Sequence, residues 1–303
     1  MMAAAQRVPI DFTIGARRLL AVPRTIATWS FGLEQVLASD LPEPPDPGPD
    51  GLRVLSAPSD RLTAITARYP GFLAGGRQDY RRHYIDMAGS FADYLARFSG
   101  KTRSTLRRKA RKLAEETGGY TVTEHRTPAE IEAFLAAALP LSARTYQARL
   151  LDAGLPDSAA ARRAMMEAAE DGRMRAFLLH AGGSAIAYLS LPVTGATLVY
   201  AHLGYDPDHA RLSPGTVLQM DALERLFAEE RYRWFDFTEG EGAHKAMFGT
   251  HSAACSSLVL LRPTLANRAL LASRGAFDSG VAQARTLAER SGILARIRAG
   301  LRA

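Results

Sequence analysis

The most constraining pattern in this chain is a buried-looking strand, a bare helix start and a second strand, all within Leu198 to Gly249. Leu198-Val-Tyr-Ala-His-Leu-Gly-Tyr205 is mostly apolar, β-branched or aromatic, as suits a strand covered on both faces. A polar loop, Asp206 to Leu212, leads into Ser213-Pro-Gly-Thr216. Serine is a favoured N-cap, and proline is tolerated at the first helical position because its missing N–H would be unpaired there anyway. Val217, Met220, Leu223 and Phe227 then recur at helical spacing towards Glu230. Arg233-Trp-Phe-Asp-Phe-Thr238 reads as the second strand. It is closed by Glu239-Gly-Glu-Gly242 and a short helical piece, His244-Lys-Ala-Met-Phe-Gly249.

A bare helix N-terminus presents free N–H groups and the positive end of the helix dipole, which suits a pyrophosphate. Arg211 adds charge just upstream. No Gly-Lys-Ser/Thr follows, so this is not a Walker loop, and G-x-G-x-x-G is absent. Taken alone, Ser-Pro-Gly-Thr also fits an ordinary helix cap.

Arg211-Leu-Ser-Pro-Gly-Thr216, the helix after it, Phe235-Asp-Phe237 and Lys245-x-x-Phe248-Gly249 together resemble the C-terminal half of the CelD/BcsL-type acyltransferases. That group lies in the GNAT superfamily and is related to the FemAB peptidyltransferases. Phe91-Ala-Asp-Tyr-Leu95, followed by Lys101-Thr-Arg103 and a basic helix, belongs to the same resemblance, which is clearest over Phe91–Leu261. The resemblance implies an α/β fold with a mixed sheet, the GNAT acyl-CoA N-acyltransferase fold, in two GNAT-like halves as in the FemAB relatives. It implies acetyl-CoA as donor, with the pyrophosphate at Arg211, Ser213, Gly215 and Thr216. It places an oxyanion-binding backbone N–H near Leu203 or Gly204, and gives Lys245 a supporting positive charge. Where the family commonly has Gly-Asp-Glu-Pro-Tyr-Lys, this chain has Gly240-Glu-Gly-Ala-His-Lys245.

Acyl transfer needs a base for the acceptor, and a carboxylate is the expected group. Glu241 is the preferred candidate, ahead of Glu239, which is also a candidate for holding substrate. Each also reads as a turn cap or a solvent-facing group, and Asp236 as a partner for core backbone donors. Tyr205 is the candidate for returning a proton to the leaving thiolate. Arg144 and Tyr146, in Ser142-Ala-Arg-Thr-Tyr-Gln147, are candidates for holding an acceptor's phosphate or hydroxyls, or else belong to a plain surface helix.

The 303 residues, 47% hydrophobic, suffice for a sizeable core in one large domain or two small ones. One cysteine, Cys255, excludes an intrachain disulfide and a cysteine-rich metal site, and fits a reducing cytoplasm. The seven histidines show no H-E-x-x-H or close ligand pair, so no metal is expected. No G-x-S-x-G elbow points to a serine hydrolase. Met1 to Ile10 lacks an apolar signal core, and no apolar run is long enough to span a bilayer. The net charge is +7, and eight arginines against Asp278 and Glu289 from Arg262 onward carry nearly all of it. The remainder is close to neutral, which argues against a general nucleic-acid binder.

Along the chain, Val8 to Phe31 reads as strand-like and helix-like fragments, and Leu41 to Asp50 as a proline-rich loop. Gly51 to Ser56 reads as a strand, Asp60 to Tyr69 as a helix and Arg77 to Met87 as another strand. Ser90 opens a helix with Asp93 at the capping-box position, Gly100 is placed to bend or split it, and Gly118-Gly119 ends it. Its run of Lys and Arg from Lys101 to Lys112 reads equally as a solvated face or a surface for an acidic partner. Tyr120 to Glu124 is a strand, Pro128 to Leu139 and Ala159 to Ala169 are helices, and Met174 to His180 with Ala185 to Leu191 form a hairpin about Gly182-Gly183. Ser257 to Leu261 is a last strand. In the basic tail, Ile293, Ile297 and Leu301 share one helical face, to pack on the protein or lie on anionic lipid.

The expected domains are 1–118, an N-terminal GNAT-like half, 119–262, the acyltransferase half, and 263–303, a basic helical tail. Three functions stay open at this point. The first is transfer from acyl-CoA to an amine or hydroxyl of a cell-surface polysaccharide precursor, a sugar or lipid-linked sugar, by a cytoplasmic enzyme that touches the inner membrane through its tail. The second is a FemAB-like aminoacyl-tRNA-dependent transferase. The third is a non-catalytic GNAT-fold scaffold docking on membrane.

Overall fold

A computed structural model describes residues 5–14, 17–145 and 154–290. Tyr146 and the tail positions Ile293, Ile297 and Leu301 lie outside the described residues. The chain divides into two compact units, Met1–Tyr80 with Ala254–Ala303, and Arg81–Ala253. The boundary expected after residue 118 falls inside the second unit, between a helix and the strand that follows it.

In the first unit, β1 (Gln6–Ile14) and β2 (Arg17–Ser30) form an antiparallel ribbon, with no helix in this stretch. Alternation shows on β1, where Ile10 and Phe12 are buried while Pro9, Asp11 and Thr13 reach solvent, whereas on β2 Ile26 and Ala27 are both buried. β2 runs parallel to β3 (Gly51–Pro58), with Ile26 opposite Gly51, and β3 runs antiparallel to β11 (His251–Leu261). Helix α1 (Leu33–Ala38) and the helix-free Leu41–Asp50 segment connect β2 to β3. A 3-10 turn, Ser59–Arg61, takes the first part of the expected helix and leaves α2 (Leu62–Ala67) short. Helix α9 (Leu265–Arg290) packs Leu270, Leu271 and Phe277 on Ile10, Phe12, Ile26, Val259 and Leu261. Buried Asn267 locks its start, accepting from Arg24 Nε at 2.8 Å and donating to the Arg262 carbonyl at 3.0 Å. The described part of the basic tail therefore belongs to the first unit's core.

The second unit holds, in spatial order, β4 (Leu73–Asp86), β10 (Trp234–Asp236), β8 (Thr197–Val199), β7 (Ser184–Thr194), β6 (Met174–Ala181) and β5 (Tyr120–His125), with β9 (His202–Tyr205) paired to β7. β4 (Leu73–Asp86) enters it from the first unit. The helix opened by Ser90 is split as Gly100 suggested, into α3 (Phe91–Ala96) and α4 (Gly100–Thr117). Ser90 and Asp93 close the capping box, each taking the other's backbone N–H, at 3.0 and 3.1 Å. Gly118, with φ 72°, ends α4 in the left-handed conformation that glycine adopts without penalty.

β5 (Tyr120–His125), α5 (Pro128–Arg144) and α6 (Ala159–Glu170) precede the hairpin β6 (Met174–Ala181) and β7 (Ser184–Thr194). The hairpin strands are buried almost throughout because both faces are covered. Phe177, Leu179, Leu189 and Leu191 meet α7 (Pro214–Ala228), while Ala176, Leu178 and Tyr188 meet α5 and α6. That is why the sequence there is a continuous apolar run. Among the described residues no helix is long and apolar enough to cross a membrane.

Gly204, on β9 (His202–Tyr205), faces Tyr188, whose hydroxyl donates to Ser142 Oγ at 2.9 Å. A Cβ at 204 would lie 2.3 Å from Tyr188 Cε1. Gly204→Ala is therefore expected to lower stability by about 1–3 kcal/mol through overpacking, measured by urea denaturation. An unchanged midpoint would contradict this packing.

Candidate active site

The single strand expected over Leu198–Tyr205 is two strands, β8 (Thr197–Val199) and β9. β8 lies between β7, antiparallel, and β10 (Trp234–Asp236), parallel. β7 pairs Val193 with Leu198 but Ser190 with His202, so the register slips by one residue at Tyr200-Ala201. This is a β-bulge. Tyr200 N–H still bonds the Asp236 carbonyl at 2.9 Å, whereas Ala201 N–H turns to the Ser190 carbonyl at 3.3 Å.

Past the bulge, β9 follows β7 while β10 ends, so two parallel strands part. Asp206 N–H bonds the Ile186 carbonyl at 2.8 Å, which fixes the alternation along β9. His202, Gly204 and Asp206 direct their N–H groups to β7, and Leu203 and Tyr205 direct theirs to the opposite edge. The slot between β9 and the segment after β10 thus has a wall of main-chain donors. Of the two positions expected for an oxyanion donor, Leu203 has its N–H in the slot and Gly204 does not.

The start of α7 departs from expectation. Ser213 sits at the N-cap position but with φ 56° and without a side-chain cap bond. Its carbonyl takes the amides of Thr216 at 3.0 Å and Val217 at 3.2 Å, and Pro214 has no N–H. Gly215 N–H is then the one first-turn donor without an acceptor among the described residues. A Cβ at Gly215 would come within 2.8 Å of Leu203 Cδ2 and 3.2 Å of Tyr205 Cδ1, so any side chain there would have to displace the end of Leu203.

Arg211 is ion-paired to Glu116 on α4. Arg144 is paired to Asp206 at 3.0 Å and Asp208 at 2.8 Å, which makes it a strut for the 3-10 turn Pro207–Leu212 rather than an open ligand for a substrate. Thr216 faces α4 across a cavity of about 210 Å³ that Arg103 and Arg107 also line.

On the other side of the slot, Asp236 is fully buried and Arg82 of β4 nearly so. They form a two-pronged ion pair, Nε to Oδ1 at 3.0 Å and Nη2 to Oδ2 at 2.5 Å. Asp236 Oδ1 also accepts the Thr238 N–H at 2.9 Å. Thr238 has φ 62°, an unusual conformation for a β-branched residue, and its amide bond to Asp236 holds it there.

The loop that follows is exposed at Glu239 and Glu241. Glu241 Oε1 accepts the Arg81 N–H at 2.8 Å. Lys245 of α8 (Ala243–Phe248) donates Nζ to the Glu239 carbonyl at 2.5 Å. Burial pulls the Lys245 ammonium below its ordinary pKa, with Asp236 and Glu239 opposing. Burial likewise lowers His83, against the pull of Glu241.

The structure therefore brings Glu239, Glu241 and Lys245 together with His83. Tyr205 is exposed at the end of β9, with no hydrogen bond to any of them among the described residues. Arg82, His83 and Gln219 are additions that the sequence reading did not single out. Gln219 carried a signal, as the polar member of the core-facing positions Gly215, Leu218, Ala222 and Leu223. No group of three or more His, Cys, Asp or Glu among the described residues is placed to hold a metal.

Residues 100–246 match the family model described as Acetyltransferase (GNAT) domain. This stretch is an acyltransferase domain of GNAT fold. The match lies wholly inside the second unit and spans the bulge, the slot and α7. The fold is similar to a crystal structure of FemX, at a TM-score of 0.51 and 12% identity, covering 86% of this chain and 89% of that one. It is also similar to the C-terminal domain of a putative lysylphosphatidylglycerol synthetase from Agrobacterium fabrum, at a TM-score of 0.49 and 14% identity, over 74% of this chain and 72% of that one. A tandem GNAT protein from the clavulanic acid biosynthesis pathway matches at a TM-score of 0.40 and 18% identity, over 70% of this chain and 65% of that one. None of the curated proteins matches the sequence. The expected mixed α/β fold of GNAT type is the one found.

In the second unit the Arg82–Asp236 pair anchors the end of β10. Removing one partner of a buried pair leaves an uncompensated charge. Arg82→Ala is expected to cost about 3–5 kcal/mol in urea unfolding. A loss near zero would show that the pair does not hold β10 in place.

Proposed function

We propose that the chain moves an acyl group, acetyl in the simplest case, from acyl-CoA to an amine or hydroxyl. The observation that carries this reading is the Leu203 N–H turned into the slot beyond the bulge. A fixed donor in a slot of this kind stabilises the oxygen that becomes negative as an acyl carbonyl is attacked. Lys245, tethered to the Glu239 carbonyl, adds positive charge beside the slot. Glu241, with one oxygen fixed by the Arg81 amide, faces the acceptor side as an exposed carboxylate. Tyr205, on the slot edge of β9, is assigned to the leaving sulfur. The Gly215 amide, with Thr216 and the Arg103 and Arg107 side chains beyond it, is assigned to the diphosphate. Arg211 takes part only when it leaves Glu116.

For the acceptor we propose a sugar or lipid-linked sugar of a cell-surface polysaccharide, on the strength of the CelD/BcsL-type motifs. Contact with an anionic membrane is assigned to the arginines after residue 262.

Titration with acetyl-CoA tests the donor reading by thermal shift. A stabilisation that grows with the logarithm of acetyl-CoA concentration is expected, reaching about 2.7 kcal/mol at a hundred times Kd. The absence of any such shift would overturn it. Mass spectrometry of surface glycans from cells with and without the protein tests the acceptor, and identical acyl content would remove the polysaccharide assignment.

A further inference from the structure

We propose that His244 is the base that carries the proton during acyl transfer, and that Gln219 is the residue that positions it. This rests on the acyl-transfer reading above.

Gln219 has no exposed surface, and it sits on α7 among Leu218, Ala222 and Leu223. A buried amide is costly unless it is bonded. Its Oε1 lies 2.7 Å from His244 Nε2. We assign the amide oxygen as the acceptor in this bond, which puts the hydrogen on Nε2 and the lone pair of the neutral ring on Nδ1. Nδ1 has no hydrogen-bond partner among the described residues. The residue is exposed overall, while Tyr200, Phe237 and Phe248 partly cover its ring.

Position is the second argument. The His244 ring centroid lies 6.4 Å from that of Tyr200 and 6.3 Å from that of Phe237. Tyr200 is the bulge residue, and Phe237 is the first residue past β10. These two mark the fork at which the strands part, so the ring sits at the base of the slot. Phe248, with its ring 4.7 Å away, closes the side towards α8.

The charges around the ring agree with this role. Burial lowers its pKa, and Lys109 of α4 and Lys245 of α8 act in the same direction. The Tyr200 phenol, pushed up by burial, stays neutral, and Gln219 carries no charge. Each of these influences favours the neutral, basic form of the imidazole.

The step balances on one group. The acceptor's N–H or O–H gives its proton to His244 Nδ1 as its lone pair forms the bond to the thioester carbon. The carbonyl electron pair moves to oxygen, beside the Leu203 N–H. On collapse the C–S bond breaks, the Tyr205 hydroxyl hydrogen-bonds the leaving sulfur, and the thiolate takes its proton from Nδ1. His244 returns to neutral, and Glu241 serves to orient the acceptor.

Two variants test it, with acetyl-CoA and water as the surrogate acceptor, by thiol release. In His244→Gln the side-chain amide keeps a group near Nε2 but removes Nδ1. Acetyl-CoA is expected to stabilise wild type and variant equally, while thiol release falls roughly a hundredfold. Gln219→Glu places a carboxylate against the imidazole and favours its charged form. The His244 pKa then rises, and the rising limb of the pH–rate profile moves to higher pH, a displacement that a purely structural contact would not produce. Wild type releasing thiol no faster than His244→Gln, with acetyl-CoA bound to both, overturns the role of His244 alone. No binding of acetyl-CoA to wild type overturns the donor reading and this inference with it. An unmoved pH limb in Gln219→Glu removes Gln219 as the positioning residue.

Discussion

One extra residue in one strand governs the catalytic unit. Without the slip at Tyr200-Ala201, the strand beginning at Thr197 would stay between β7 and β10 over its whole length. Every amide of Leu203 and Tyr205 would then face a neighbouring strand. The slip lets β9 follow β7 alone, and the amides on its other edge are released from the ladder without the strand losing its place. A sheet interior offers hydrogen-bond donors that are already aligned, and aligned donors need no reorganisation when charge develops. The bulge thus turns structural amides into chemical ones.

The opposite wall depends on a buried charge pair. Buried ion pairs are weak sources of net stability but strong sources of geometry, because neither partner tolerates being left alone. Asp236 is held by Arg82 and in turn holds the amide of Thr238, which keeps an unusual backbone angle. That angle turns the chain from β10 into the loop carrying Glu239 and Glu241, and so into α8. The polar groups of the site are exposed, yet their placement traces back to two fully desolvated ones.

What was legible in the sequence was local. Ser90 with Asp93, Gly118, and the Gly182-Gly183 turn act on their own neighbourhood, and the structure has them as read. The hairpin strands were legible because burial on both faces leaves an unbroken apolar run. The bulge was not, because it is decided by competition between β7 and β10 for the same strand. Arg82 and Asp236 lie 154 residues apart, and no spacing rule joins them. Ser213 and Gly215 were seen as a bare helix cap. The left-handed turn at Ser213 and the packing of Gly215 on Leu203 are tertiary facts that give the same residues a second explanation. Sequence alone offers Arg144 as a substrate holder or a plain surface residue and Arg211 as added charge for a pyrophosphate; in the structure Asp206, Asp208 and Glu116 engage them.

The first unit is assembled from residues before Arg81 and after Ala253, whereas the second is one continuous run. During synthesis the continuous unit is complete as soon as its last strand leaves the ribosome. The interrupted one must wait with Ile10, Phe12 and Ile26 uncovered until Leu261 and Leu270 arrive. Its unfinished surface is apolar during that wait. Lesions in the C-terminal helix would therefore be felt first as poor yield and aggregation in the cell, and only afterwards as a defect in the finished enzyme.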